Sequence, residues 1–108
     1  MHDHLKGGAL TETTFFILLA AWEPNHGYGM MRFVERATGG RLHLGAGTLY
    51  GAIDTLVRKG WLAPCGETGR RRTYRITEAG REAARAELAR LRKLVQTARG
   101  IMEGETLL

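Results

Sequence analysis

Gly47-Thr48-Leu49-Tyr50-Gly51-Ala52-Ile53-Asp54-Thr55-Leu56-Val57-Arg58-Lys59-Gly60 is the stretch whose reading decides the fold. Leu49, Ile53, Leu56 and Val57 recur at i, i+4, i+7 and i+8, the spacing of one buried helical stripe. Thr48, Gly51, Asp54, Thr55 and Arg58 then face outward with Tyr50 on the flank, and Gly60 closes the helix. Directly downstream, Trp61–Pro64 and Thr73–Ile76 read as two strands joined through Cys65–Arg72, with Arg70, Arg71 and Arg72 at the tip. A helix with one free face beside an arginine-tipped hairpin predicts a winged helix-turn-helix, mainly α with a small β-hairpin wing.

Charge supports a polyanion-binding surface there. The 108 residues carry a net charge of +5. Residues 1–40 contribute −1, residues 41–75 contribute +5 and the remainder +1. A uniform excess would aid solubility alone; an excess confined to the helix and hairpin steers a polyanion to one face. Double-stranded DNA or RNA leads, with an anionic membrane a distant second. One cysteine, Cys65, excludes an intrachain disulfide and a multi-cysteine metal site. The N-terminus has no apolar signal-peptide core, and the longest apolar run, Phe15 to Trp22, falls far short of the roughly 20 residues that span a bilayer. A cytoplasmic location is the expectation, with no membrane partner.

Upstream, residues 1–10 form a flexible lead-in and Thr11 caps a first helix, with Thr14 three residues on and Glu12 suiting the helix dipole. Phe15-Phe16-Ile17-Leu18-Leu19-Ala20-Ala21-Trp22 is apolar on every face and must be covered all round. A partner chain is expected on one side; a wholly intramolecular core helix is the alternative. A second helix runs from Tyr28 to about Thr38, with Met30, Phe33, Val34 and Ala37 on one face and Gly39-Gly40 as its stop. Arg41-Leu42-His43-Leu44 alternates as a very short strand would.

Downstream, Thr77-Glu78-Ala79-Gly80 caps a long fourth helix. Ala84, Leu88, Leu91, Val95, Ala98 and Met102 are spaced 4, 3, 4, 3, 4, a heptad seam. Leu94 and Ile101 widen it, and Arg85, Glu87, Arg90, Arg92 and Lys93 keep the other faces wet. The seam predicts homodimerisation through this helix, with Phe15, Leu88, Leu91, Val95 and Ala98 at the contact; packing on its own core is the competing reading. The chain thus divides into a lead-in (1–10), a winged-helix domain (11–77), a dimerisation helix (78–99) and a frayed tail (100–108).

Three adjacent arginines at a hairpin tip repel one another, but from a wing they reach a phosphate backbone or a narrow minor groove. Tyr50, beside Gly47 and Thr48 at the helix start, can donate its hydroxyl to a phosphate or serve as a core-flank aromatic. Thr48 can act as N-cap and still meet a phosphate, which helix N-termini favour. Gly27-Tyr28-Gly29 contains Gly-x-Gly, but no strand precedes it and no acid follows at the dinucleotide spacing. His2, Asp3 and His4 lie in the lead-in and are not taken as a metal site, His26 starts a helix, and Cys65 is a redox sensor only if exposed with a lowered pKa. No nucleophile–base or paired-carboxylate arrangement has supporting context, so no enzyme, cofactor or metal is expected.

At these residues the chain resembles the PadR-like (phenolic acid decarboxylase regulator) family of winged-helix transcriptional regulators, short subfamily. The resemblance runs from about Thr14 to Leu94 and rests on His26-Gly27-Tyr28-Gly29, Gly47-Thr48-Leu49-Tyr50, Lys59-Gly60-Trp61-Leu62 and Arg72-Thr73-Tyr74-Arg75-Ile76-Thr77-Glu78-Ala79-Gly80 in that order. It implies a homodimeric, sequence-specific DNA-binding regulator, a repressor on a pseudo-palindromic operator, with Tyr28, Gly47, Thr48 and Tyr50 at the DNA surface and Arg70, Arg71 and Arg72 on the wing. Two departures stand out: Gly51 replaces a frequent proline, and Asp54 and Thr55 stand where basic residues are common. Asp54 either accepts from a cytosine amino group or lies off the interface. Some family members bind planar aromatic drugs between dimer halves. Release by a small-molecule effector is therefore an expectation, with Phe15 and Trp22 as candidate lining residues, although the fourth helix has no aromatic to stack on such a ligand. The alternative from another class is a winged-helix adaptor that binds protein without specific DNA binding.

Overall fold

The computed structural model describes residues 8–104, so His2, Asp3 and His4 lie outside the described residues. The elements run α1 (Glu12–Ala20), β1 (Asn25–His26), α2 (Gly27–Ala37), α3 (Ala46–Lys59), β2 (Leu62–Thr68), β3 (Arg71–Ile76) and α4 (Glu78–Met102). The three strands form one antiparallel sheet in the order β1-β3-β2. This is the winged-helix architecture expected from the sequence: three packed helices, a hairpin wing and a long C-terminal helix.

Local capping explains most of the helix starts. Thr11 Oγ1 accepts from the Thr14 N–H (3.1 Å), His26 Nδ1 from the Gly29 N–H (3.0 Å) and Thr77 Oγ1 from the Gly80 N–H (3.0 Å). Each satisfies one of the orphan donors of a first helical turn. Gly60, in the left-handed region at φ 81°, ends α3 and lets the chain turn straight into β2. At the base of the wing, Thr77 donates its N–H to the Trp61 carbonyl (2.9 Å) and its hydroxyl to the Gly60 carbonyl (2.6 Å).

Ile17, Leu18, Met30, Val34, Leu49, Ile53, Leu56 and Leu62 form a fully buried core joined by Tyr74 and Ile76. The α3 stripe contributes as its spacing predicts, with Ala52 added and Val57 only half-buried. α1 packs against α2, α3 and α4 of its own chain, and every apolar residue from Phe15 to Trp22 is at least half-buried. Intramolecular packing therefore supplies much of the cover for which the sequence suggested a partner.

Four expectations change. Residues 41–44 form no strand; the third strand is Asn25–His26, which pairs Asn25 with Tyr74 and His26 with Thr73. Two residues carry too little pattern to register as a strand, and β3 supplies the pairing from far along the chain. Phe33 and Ala37 are exposed, because α2 contacts the core through Met30 and Val34 and Phe33 lies about 100° round the helix from Val34. The hairpin also runs further out than expected. β2 reaches Thr68 and β3 starts at Arg71, so Gly69-Arg70 is the turn and Arg71 and Arg72 are strand residues. A register shift between Pro64 and Gly66 leaves Cys65 as the bulged residue. Finally, α4 continues through Gly100 to Met102, so the expected tail begins as helix; Gly104, at φ 81°, lies just past its end.

Glu87 is the largest surprise. It is 3% exposed, where helical periodicity places it on a wet face. Its carboxylate accepts the Leu10 N–H (3.1 Å) and two bonds from Arg90 (2.9 and 2.6 Å). The end of the lead-in is thereby docked: Leu10 is buried in the core and tied to a residue 77 positions away. The Arg90 guanidinium, opposed by burial and helped by the Leu10 N–H, holds the Glu87 carboxyl below the ordinary glutamate range. A depressed folded-state pKa stabilises the fold above the ordinary glutamate value of about 4.3, and that contribution is lost as pH falls below it. Glu87→Gln should lower stability at neutral pH by about 1–3 kcal/mol. It should also flatten the acid limb, as read by urea denaturation across the pH range; an unchanged acid limb would contradict this role.

Gly80 tests the wing base. A Cβ there would collide with the Trp61 carbonyl oxygen and stand 2.7 Å from Ile76 Cγ1. Backbone cannot give way as a flexible side chain does. Gly80→Ala should cost about 1–3 kcal/mol, visible as a lower urea midpoint with an unchanged m-value.

Candidate nucleic-acid interface

α3 differs from the other helices at its N-terminus. Its N-cap is Gly45, without a side-chain hydrogen bond, whereas α1, α2 and α4 are each capped by a side chain. Thr48 is therefore not the N-cap: it sits three residues into the first turn, beside Gly47, and both are exposed. The N–H groups of this turn and the positive end of the helix dipole face outward, an arrangement that receives an acceptor or an anion.

Tyr50, on the next turn, leans across to α2. A side chain on Gly27 would overlap the Tyr50 hydroxyl, with the ring Cζ 2.6 Å from the position of a Cβ. A Cβ on Gly29 would likewise overlap the Asn25 side chain. Close approach thus explains the glycines of Gly27-Tyr28-Gly29, and both alternatives for Tyr50 apply in part: the ring packs on α2 while the residue stays half-exposed.

The wing stands beside these helices. A groove of about 620 Å³ is lined by Tyr50 and Asp54 from α3, Tyr28 from α2, and Arg70, Arg71 and Arg72 from the wing. The structure brings these residues together, while Gly47 and Thr48 lie at the neighbouring helix end. Asp54 is exposed, makes no ion pair among the described residues, and shares the groove with the wing arginines.

Folding redistributes the charge counted along the chain. Arg41 makes an ion pair with Glu12, whose carboxyl is held below its ordinary range chiefly by the Arg41 hydrogen bond. This arginine of the basic stretch is thereby matched to an acid of α1. Arg72 stands 3.7 Å from Glu67 on the facing strand. In exchange, α2 adds Arg32 and Arg36, which line a cavity of about 700 Å³ with His26, Tyr28, Phe33 and Arg71. Sequence reasoning passed over these two arginines; their places four and eight residues after Tyr28, on one helical face, were the available signal. Arg32 donates to the Tyr28 hydroxyl (3.4 Å).

The two candidate effector residues have different immediate neighbours. Trp22 is covered by the guanidinium groups of Arg81 and Arg85, 4.8 and 5.6 Å from its ring centre, and lines a groove with Arg75 and Arg81. Phe15 instead packs edge-on against Phe16. The dimerisation candidates on α4 do fall on one surface: Leu88 is 47% and Val95 50% exposed, Leu91 and Ala98 are half-buried, and Ile101 and Met102 are open. Cys65 is exposed. Among the described residues no cluster of His, Cys, Asp and Glu could hold a metal, and no helix is long and apolar enough to cross a membrane.

Residues 16–86 match the transcriptional regulator PadR-like family. A PadR family transcriptional regulator from Eggerthella lenta superposes with a TM-score of 0.71 at 26% identity, covering 84% of this chain and 81% of that one. RosR of H. salinarum superposes with a TM-score of 0.66 at 24% identity, covering 88% and 94%, which speaks to the fold. A curated relative, an uncharacterized 37.1 kDa protein in transposon TN4556 of Streptomyces fradiae, is 39% identical over 71 residues. That match takes in 66% of this chain and only a fifth of the relative's length. With the family match spanning the three-helix core, the wing and the first part of α4, the chain belongs to the PadR-like family of transcriptional regulators.

Proposed function

We propose that this regulator is a sequence-specific DNA-binding protein of the cytoplasm that represses by occupying a pseudo-palindromic operator as a homodimer. The observation that carries the reading is the shared groove. The outward face of α3 and the arginines of the wing open to the same side, next to the one helix start among the described residues that has no side-chain cap. In the bound state the start of α3, with Gly47 and Thr48 in its first turn and Tyr50 on the next, enters the major groove. Tyr28 meets a flanking phosphate, and Arg70 and Arg72 reach the neighbouring backbone or minor groove. Asp54, inside the groove, is suited to accept from a cytosine amino group.

Phosphate neutralisation would then carry most of the affinity, so binding weakens steeply with salt. Arg70→Ala combined with Arg72→Ala should weaken binding to operator and non-operator duplexes alike. The log–log salt slope should flatten by roughly 0.9 for each phosphate that is no longer neutralised. Fluorescence anisotropy at several salt concentrations reads both quantities. Unchanged slope and affinity would remove the wing from the interface.

The dimer reading rests on the apolar surface of α4, where Leu88, Val95, Ile101 and Met102 face solvent in the single chain. Two copies joined there would hold their α3 helices in major grooves about one helical turn, ~34 Å, apart. Leu88 and Val95 are each about half-exposed, so a charge at either site disturbs the monomer little. Leu88→Glu with Val95→Glu should give a folded monomer by sedimentation and circular dichroism, with operator affinity abolished. A dimer mass in this variant would place the interface elsewhere.

A further inference from the structure

The His26 imidazole is asked for more than it can supply. Its Nδ1 faces the Gly29 N–H at 3.0 Å, as the cap of α2, and its Nε2 faces the Arg71 guanidinium at 3.3 Å. Both neighbours are donors. A neutral imidazole has one lone pair and one N–H, and an imidazolium has no lone pair at all. The capping bond claims the lone pair on Nδ1, so the ring proton sits on Nε2 and points toward Arg71. Two donors then face each other with no acceptor between them.

Two N–H donors about 2.9 Å from one shared oxygen naturally stand at such a separation. Around this pair, Arg32 and Arg36 supply further positive charge, and the exposed ring of Phe33 forms an apolar wall. No carboxylate lines this cavity. Glu35, the acidic residue of α2, lies 3.5 Å from His43 and lines the neighbouring hollow with Arg32 and Arg36. Asp54 lines the groove on the other side that His26 and Arg71 also border.

The geometry points to an oxyanion site between α2 and the wing, in which the His26 Nε2–H and Arg71 share one oxygen of a phosphate group and Arg36 balances its charge. Two sources offer this chemistry: a backbone phosphodiester of duplex DNA, and a free phosphate-bearing ligand. The first rests on the DNA-binding reading above; the second does not. Seating a phosphate there joins β1, α2 and β3 through one ligand, so occupancy of the site is coupled to the position of the wing.

The test uses the full chain, its His26 ring nitrogens and its Gly29 amide followed by NMR. Inorganic phosphate is titrated against chloride at constant pH and ionic strength. Two variants keep the fold while altering the site. His26→Asn retains a good helix cap but loses the Nε2 donor, and Arg71→Gln removes the guanidinium. Phosphate, and not chloride, should shift the His26 ring and the Gly29 amide saturably in the parent chain. The Gly29 shift should vanish in both variants.

On duplex DNA, each variant should bind roughly tenfold more weakly. A salt slope lowered by roughly 0.9 in Arg71→Gln identifies the occupant as the DNA backbone. A phosphate response in the parent chain with DNA affinity and slope unchanged in both variants identifies a free anion instead. A parent chain that responds to phosphate but binds no duplex would sink the DNA-binding reading and leave the oxyanion site standing. Absence of any phosphate-specific shift, together with unaltered DNA affinity in both variants, overturns the site.

Discussion

The junction at the start of α2, where Tyr50 lies close to Gly27 and β1 pairs with the wing, is what the working surface is built around. Core burial holds α1, α2 and α3 together, but burial is non-directional and tolerates several helix arrangements. The Tyr50 ring rests where a side chain on Gly27 would stand, so glycine there lets this half-exposed ring lie against the start of α2 without swinging away. The same short segment carries β1, whose two residues pair with Tyr74 and Thr73 of the wing. His26 is at once a strand residue, the cap of α2 and a neighbour of Arg71. The start of α2 thereby fixes both α3 and the wing, and the groove between them follows from that junction.

Electrostatics on this surface are a product of folding as much as of composition. The basic stretch from Arg41 to Arg75 would suggest a continuous cationic strip, yet Arg41 is matched by Glu12 and Arg72 faces Glu67. Exposed pairs of this kind contribute little to stability. Their effect here is on where charge without an ion pair remains on this surface among the described residues: Arg70 and Arg71 on the wing, and Arg32 and Arg36 on α2. The resulting patch bridges two elements far apart in sequence and frames Asp54 on its α3 side.

α4 outruns the core that it begins on. Its first turns are held by Gly80 against Trp61, by Ala84 in the core and by Glu87 on Leu10 and Arg90. Beyond Glu87 the apolar residues meet mostly solvent, and the molecule is drawn out to 58 Å along its long axis against 28 and 24 Å across. A stripe of this kind in a chain with a small core is where an additional apolar partner contributes most. The buried Glu87 belongs to the same helix for a different reason: it docks the segment before α1, which helical periodicity on α4 alone cannot reveal.

Local and periodic features were legible in the sequence because their causes are local. The stripe Leu49, Ile53, Leu56 and Val57, the threonine caps at Thr11 and Thr77, the stop at Gly60 and the winged-helix order of elements all follow from spacing and backbone preference within a few residues. The misjudged features depend on residues distant in sequence. Asn25–His26 becomes a strand only because β3 offers partners, and Phe33 is exposed because α2 meets the core through Met30 and Val34. Arg71 and Arg72 are strand residues because the hairpin ladder continues outward past the bulge at Cys65. Glu87 is buried because Leu10 and Arg90 satisfy it. Sequence alone determined the four helices, the hairpin and the buried stripe of α3, since side-chain periodicity and capping act over single turns. Tertiary structure alone decided which polar groups meet across those elements, since ion pairing, acceptor supply and burial are properties of positions that the chain joins only on folding.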